Sequence, residues 1–193
     1  MYQCHNRINA SILFSVVVVL LSSLCAYCIT EYTNELQMGM LNISNIPQSY
    51  RVLFKVSSTI AATIPIVIFL FLFFSTEILL NDFFGEKINK ENLLNIIGIS
   101  FTPMLIYQYV FWFNIIVFCQ RTNMREVNDF LNMSFMYGLT LTDFEFINLV
   151  CWGFVYLLPI LYYIKKDVSI VSTLTSFLLP SSLAIFFYYI LTR

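Results

Sequence analysis

Ionisable side chains inside apolar segments are the residues of this chain that suggest chemistry most directly, and Glu77 is the clearest of them. It lies in the apolar run Phe73–Leu80, about one turn from its end. A carboxylate at such a depth serves transport or proton transfer, or it finds a cation nearby. Two interpretations stay open: a proton or ion site, and a side chain that reaches the interface or pairs with Lys87 or Lys90.

Two neutral polar side chains, Gln108 and Asn114, follow in another apolar segment. Together with Glu77 they form the candidate intramembrane polar site. Amides in a helical bundle commonly hydrogen-bond between helices, whereas a conduction path requires more polar lining than three residues supply. We therefore expect Gln108 and Asn114 to join helices, with a transport path as the alternative.

Catalytic, cofactor and metal motifs are missing from the sequence. It contains no H-E-x-x-H, no G-x-S-x-G and no glycine-rich phosphate loop. Cys25 and Cys28 form one C-x-x-C, but a zinc site needs four converging ligands, and His5 stands near the opposite end of that segment. We expect no enzyme activity, no cofactor and no bound metal.

The composition indicates a membrane environment. Of 193 residues, 59% are hydrophobic and 11% are charged, and the mean hydropathy is +0.79. A soluble domain has about 25% charged residues, so an ordinary soluble globule is excluded. With 10 Lys and Arg against 11 Asp and Glu, the chain also lacks the basic field that nucleic acid binding needs. The lipid bilayer is the predicted partner, and nucleic acid is not.

The apolar segments predict the fold. A helix needs about 20 mainly apolar residues to cross the hydrocarbon core, and five segments meet that length. The predicted spans cover about residues 12–30, 56–80, 93–118, 146–164 and 168–191. They predict an all-α integral membrane protein with a single five-helix domain over residues 1–193. Leu24 and Cys25 do not fit the small-residue pattern of signal cleavage, so the first span is interpreted as a retained helix.

Prolines and small residues predict how these helices pack. The prolines at which kinks are expected are Pro65, Pro103, Pro159 and Pro180, one in each of the last four spans. Small residues also recur four apart, which lets helix backbones approach closely. The faces expected to pack against other helices, including those of a partner, contain Ser57, Ala61, Ala62, Ser172 and Ser176.

The connections predict the orientation and one further helix. The 10 Lys and Arg residues divide equally between the two sides, and the N-terminal amine and the compact pair Lys165 and Lys166 favour a cytoplasmic N-terminus and an outer C-terminus. Between the third and fourth spans, Asn123 and Glu126 begin a capping-box pattern. This pattern predicts a short amphipathic helix at the outer interface, over roughly residues 123–134.

From Leu79 onward, the order of these features resembles the bacterial branch of the Yip (Rab/Ypt-interacting protein) family of five-span membrane proteins. The stretches that carry the resemblance are Gly85–Ile88, Leu93–Ile97, Ser100–Pro103, Asp143–Ile147, Trp152–Phe154 and Lys165–Asp167. The resemblance implies an adaptor or assembly role, which in bacteria accompanies ABC exporters that act on antimicrobial peptides or toxins.

Two functional hypotheses follow. The leading one is a non-enzymatic accessory subunit of a bacterial cytoplasmic-membrane complex, an ABC exporter linked to antimicrobial peptide or toxin resistance. Its expected partners are the permease and ATPase subunits of that exporter. The alternative is a permease half or small transporter with Glu77 as the coupling group. Replacement of Glu77 by Gln separates the two, because transport collapses only under the alternative.

Overall fold

A computed structural model describes the backbone of residues 2–40, 47–121 and 138–191, with side chains at 11–36, 38, 47–117, 138–180 and 182. Every regular element in these ranges is helical. The elements are α1 (Tyr2–Met40), α2 (Gln48–Glu77), a π-helical turn (Ile78–Phe83), α3 (Lys90–Ser100), α4 (Thr102–Arg121), α5 (Leu141–Ile164) and α6 (Ile170–Leu191). The amphipathic helix expected over residues 123–134 lies outside the described residues.

Four segments of the described chain are long and apolar enough to cross a membrane. They are Ser11–Leu36, Gln48–Phe83, Lys90–Val117 and Leu141–Ile164. Each one overlaps a predicted span and extends beyond it at one or both ends, because polar residues continue the helices past the apolar runs. The described apolar part of α6, Ile170–Pro180, is shorter, and the fifth span stays a prediction.

The helix beginnings explain part of this extension. At the start of α5, the Thr140 backbone N–H donates to Asp143 Oδ2 at 2.7 Å, and the Asp143 N–H donates to Thr140 Oγ1 at 3.3 Å. This reciprocal pair satisfies two backbone donors that a helix end leaves unpaired. The helix therefore begins at Leu141, before the apolar run that starts at Phe146.

The prolines occupy two kinds of position. Pro65, Pro159 and Pro180 lie inside α2, α5 and α6. Pro103 lies in the first turn of α4, just after Phe101, which separates α3 from α4. The first turn of a helix does not need the N–H that proline lacks, so the third span consists of two consecutive helices. The kinks expected at the four prolines stay a prediction.

The chain divides into two compact units. The first unit comprises Met1–Val19, Val67–Thr102 and Gly153–Arg193. The second unit comprises Leu20–Ile66 and Pro103–Trp152. Helices α1, α2 and α5 contribute residues to both units, and the single five-helix domain stays a prediction.

The core of the first unit contains large side chains that are almost completely buried. Its largest fully buried apolar side chains include Leu72, Leu80, Leu93, Ile97, Phe101, Val155 and Phe177. The Phe69 and Phe101 rings meet edge to face, with centroids 6.2 Å apart. The Tyr163 ring stacks on Phe177 at the same separation of 6.2 Å. Such aromatic pairs stabilise the packing beyond the area that they bury.

Helices α1 and α3 approach each other closely in the first unit at Gly98. A Cβ atom at residue 98 would lie 2.4 Å from the Cβ of Ser15 and 3.0 Å from its Cα. Only glycine fits this contact. The Ser15 hydroxyl lies 3.0 Å from the carbonyl oxygen of Asn95, one turn earlier on α3, and donates across the two helices.

The core of the second unit surrounds Phe144 and Ile115. The side chains packed against these two residues are Tyr32, Leu36, Tyr107, Phe111, Leu139 and Leu141. The Phe144 ring centroid lies 5.1 Å from that of Phe111 and 6.3 Å from that of Tyr107. This cluster anchors the C-terminal part of α1 to α4 and α5, because Tyr32 and Leu36 belong to α1.

Candidate functional site

Glu77, the last residue of α2, forms an ion pair with Lys90, the first residue of α3. The side chain of Glu77 is 17% exposed and that of Lys90 is 68% exposed, so the cation is the more solvated partner. Lys87, the other cation that the sequence offered, is exposed and is not its ion-pair partner. The paired carboxylate lies near the end of a membrane-length segment.

The connection between α2 and α3 places the two residues of this ion pair close together. The π-helical turn ends with two backbone hydrogen bonds that reach five and six residues back along the chain. Phe84 N–H donates to Leu79 O at 3.0 Å, and Glu86 N–H donates to Leu80 O at 2.8 Å. Gly85 then adopts a φ of 71°, which glycine takes without steric cost. The turn therefore brings the start of α3 close to the end of α2.

Gln108 and Asn114 are both buried in the second unit, with exposures of 5% and 8%. The Asn114 Nδ2 donates to the Val110 carbonyl oxygen one turn earlier, at 2.7 Å. Within the described part of the chain, Gln108 Oε1 and Asn114 Oδ1 have no hydrogen-bond partner. The two residues are six positions apart on α4, which directs them to different sides of the helix. A transport route lined by both residues stays a prediction.

The small residues of the second span face α1. Ser57 Oγ accepts a hydrogen bond from Asn34 Nδ2 at 3.0 Å, and the Ala62 carbonyl oxygen accepts one from the Ser23 hydroxyl. Ala61 lies beside these contacts and is half-buried. Helices α1 and α2 are therefore joined through this face, and its role in docking a partner stays a prediction.

The small residues of α6 are buried in the first unit. Ser172 is 6% exposed and Ser176 is fully buried. The Ser176 carbonyl oxygen accepts a hydrogen bond from the Thr76 hydroxyl at 3.3 Å, so this part of α6 contacts α2. These residues pack helices within the chain, and a partner contact through them stays a prediction.

The described cysteines are free thiols. They are Cys25, Cys28 and Cys151. In residues 11–36, 47–117 and 138–180, no group of three or more His, Cys, Asp or Glu side chains is placed to hold a metal ion.

A cleft of about 950 Å³ lies between the C-terminal part of α1 and the N-terminal part of α2, within the second unit. We call it the α1–α2 cleft. Glu31 and Glu35 line it from α1, and Arg51 and Lys55 line it from α2. Each pair is spaced four residues apart, which places both members on one face of their helix. No ion pair joins either carboxylate to either cation among the described residues.

Asn34 joins the two helices beside this cleft. Its Nδ2 lies 3.0 Å from Ser57 Oγ, 3.3 Å from Ser58 Oγ and 3.2 Å from the Phe54 carbonyl oxygen. Ser58 is 1% exposed, so these bonds are shielded from water on that side. Buried polar groups with satisfied hydrogen bonds hold two helices at a defined separation. The positions of the charged side chains in the cleft depend on this network.

The sequence pattern does not predict the cleft. The predicted spans 12–30 and 56–80 leave residues 31–55 between helices, whereas α1 continues to Met40 and α2 begins at Gln48. The available signal was the pair of charges four residues apart at the end of one helix and the pair of opposite sign at the start of the next. The first apolar run ends before Glu31 and the second begins after Lys55, so a prediction from apolar run length does not place these charges on helices.

Comparison with known proteins found no relative of this chain: no family model, curated protein or solved structure matches it.

Proposed function

We propose that this protein is a non-enzymatic accessory subunit of a bacterial cytoplasmic-membrane complex, an ABC exporter linked to antimicrobial peptide or toxin resistance. The observation that supports this proposal is the apolar surface that internal packing leaves uncovered. In the four membrane-length segments, between 22% and 33% of the most apolar window is buried within the chain. The remainder is available to lipid and to the transmembrane helices of other subunits.

Helix α2 and the following turn carry the most continuous part of this surface. The exposed large apolar side chains there are Val56, Ile60, Ile64, Val67, Phe71, Phe74 and Ile78. They recur every three or four residues and so form one stripe along the helix. Ala61 lies next to Ile60 and is half-buried. Because its side chain is small, a helix of another subunit could approach the α2 backbone closely at this position.

The proposed topology has five spans, with the N-terminus in the cytoplasm and the C-terminus outside. Helix α6 has 22 residues, and at 1.5 Å per residue its length of about 33 Å matches the hydrocarbon thickness of about 30 Å. The resemblance to the Yip family supports the assembly role.

The alternative, a permease half or small transporter coupled through Glu77, receives less support. A coupling carboxylate has to exchange its proton or ion during each cycle. The ion pair with Lys90 instead joins Glu77, at the end of α2, to the start of α3. A structural use of Glu77 is consistent with the accessory role.

Purification of the full-length tagged chain from its native membrane in a mild detergent, followed by mass spectrometry, tests this proposal. We expect stoichiometric recovery of a permease and an ATPase. Ala61→Leu should reduce their recovery because the larger side chain blocks close helix approach. Val110→Leu, which enlarges an exposed side chain on α4, should leave recovery unchanged. Recovery of the chain alone would overturn the proposal.

Glu77→Gln separates the accessory role from the alternative in cells. If the chain is an accessory subunit, exporter-linked resistance persists in the variant. A collapse of resistance, with the variant protein present at normal levels in the membrane, would support the transporter instead.

A further inference from the structure

We propose that the α1–α2 cleft binds a soluble zwitterion of the size of a short peptide, whose ammonium group contacts Glu31 and Glu35 and whose carboxylate contacts Arg51 and Lys55. This inference does not depend on the exporter partnership. It rests on the opposite charges and the volume between them. All of these residues belong to the second unit.

Helices α1 and α2 run antiparallel beside the cleft. Asn34 contacts Ser58, and Ser23 contacts Ala62, so the residue number rises along α2 as it falls along α1. Glu31 and Glu35 line the cleft from one helix, and Arg51 and Lys55 line it from the other.

Glu35 and Lys55 line the cleft from opposite helices but are not paired with each other in the described part of the chain. Both side chains are exposed. The cleft therefore presents a negative charge and a positive charge to a molecule that carries both signs.

The volume of the cleft sets the size of that molecule. An extended chain of two or three residues measures about 7 to 10 Å between its ends. The cleft volume of about 950 Å³ lies within the range of about 300 to 1,000 Å³ that small-molecule sites occupy.

The order of the charges favours a soluble ligand over a lipid headgroup. Glu31 lies deeper in the segment Ser11–Leu36 than Arg51 lies in the segment Gln48–Phe83. A phospholipid places its phosphate toward its acyl chains and its amine toward water. The cleft offers its carboxylates deeper and its cations nearer the helix ends, which is the reverse order.

Trialanine with free termini is the probe, and the full-length protein in phosphatidylcholine nanodiscs is the receptor. Isothermal titration at low salt should show saturable binding of trialanine at one site. N-acetyl-trialanine lacks the ammonium group and trialanine amide lacks the carboxylate. Each should bind about tenfold or more weakly, because each loses a charge-assisted hydrogen bond. Absence of trialanine binding, or equal binding of the three peptides, would overturn the proposal.

Charge variants assign each end of the ligand. Glu35→Gln should weaken trialanine about tenfold and leave the affinity for N-acetyl-trialanine unchanged. Arg51→Gln should weaken trialanine similarly and leave the affinity for trialanine amide unchanged. The matched controls Glu91→Gln and Lys87→Gln remove exposed charges outside the cleft and should change neither affinity. Equal losses in the cleft variants and the controls would contradict the assignment.

A change of lipid distinguishes a soluble zwitterion from a lipid headgroup. Nanodiscs that contain phosphatidylethanolamine should leave trialanine binding unchanged. If that lipid abolishes trialanine binding to the protein, a headgroup occupies the cleft and the soluble ligand is excluded.

Discussion

In the first unit the carboxylate of Glu77 is ion-paired with Lys90, whereas in the second unit Glu31 and Glu35 face Arg51 and Lys55 across a cleft without pairing. The difference lies in the backbone that presents the charges. A π-helical turn and Gly85 return the chain so that α3 begins beside the end of α2. In the second unit, Asn34 joins α1 to α2 beside the cleft, and the charged side chains lie around an open volume.

This contrast separates a structural charge from a ligand-binding charge. A carboxylate that already has its cation gains little from a ligand, because a second cation has to compete for the same oxygens. Charges around a cavity that lack an ion-pair partner remain available to an incoming group of opposite charge. The four substitutions below break or sharpen this contrast, in order of decreasing expected effect on stability.

Phe144→Ala should have the largest effect, because it removes the centre of the cluster that anchors α1 in the second unit. Phe144 is 3% exposed, and we expect a loss of about 3–5 kcal/mol of unfolding free energy. Unfolding in mixed detergent and dodecyl sulfate micelles measures this loss. Trialanine affinity should fall as well, since Tyr32 and Leu36 position the acidic residues of the cleft.

Phe146→Ala is the matched control for Phe144→Ala. Phe146 is 67% exposed, and its truncation should change stability by about 0.5 kcal/mol or less. Equal effects of the two truncations would show that the aromatic cluster does not support α1.

Gly98→Ala tests the first unit, where α1 and α3 touch. The new Cβ would lie 2.4 Å from that of Ser15, and the strain should cost about 1–3 kcal/mol. Trialanine binding should persist in the folded fraction, because the cleft belongs to the second unit. A stability equal to that of the wild type would disprove the close contact.

Gly153→Ala is the control for that substitution. Apart from its chain neighbours and its own helix backbone, no atom of the described residues lies within 4 Å of a Cβ at this position, and alanine favours a helix interior over glycine by roughly 0.5–1 kcal/mol. We therefore expect Gly153→Ala to be neutral or stabilising in the same unfolding measurement. Destabilisation by both glycine substitutions would mean that their effect is not specific to Ser15.

Asn34→Ala removes the amide donor that joins α1 to Ser57, Ser58 and the Phe54 carbonyl of α2 beside the cleft. The loss should be about 1 kcal/mol of stability, the net contribution of a typical hydrogen bond. Trialanine affinity should fall by more than the loss of folded protein alone would cause, because the charged faces of α1 and α2 lose their fixed separation. Thr59→Ala removes a hydroxyl that donates only within α2, at 2.8 Å to Lys55 O, and should leave binding unchanged. Unchanged trialanine affinity in Asn34→Ala would show that the network does not position the cleft.

Lys90→Met should have the smallest effect, because the ion pair that it breaks has an exposed cation. We expect a slight loss of stability at low salt that disappears at high salt, where screening weakens the pair in the wild type as well. Lys87→Met, which removes an exposed cation from the same connection, should show no such salt dependence. A large and salt-independent loss would contradict the contrast between paired and unpaired charges.

The sequence predicted the all-helical fold, because apolar run length and the need to satisfy backbone hydrogen bonds leave little choice in a membrane. It underestimated the helix lengths, since capping at Thr140 and Asp143 and the polar continuation of α1 past Glu31 do not appear in hydropathy. It offered Lys87 and Lys90 equally as partners of Glu77. It treated Ser57 and Ser172 as small helix-facing residues without indicating which helices they contact.

The sequence by itself therefore determined which segments are apolar helices, because that depends on the chemistry of neighbouring residues. Only the tertiary structure decided that Lys90 pairs with Glu77, that Ser15 fits against Gly98 and that four unpaired charges surround a cleft. These contacts depend on where a chain turns and on the sides of the helices that meet. Such relations join residues far apart in sequence, and local periodicity carries no information about them.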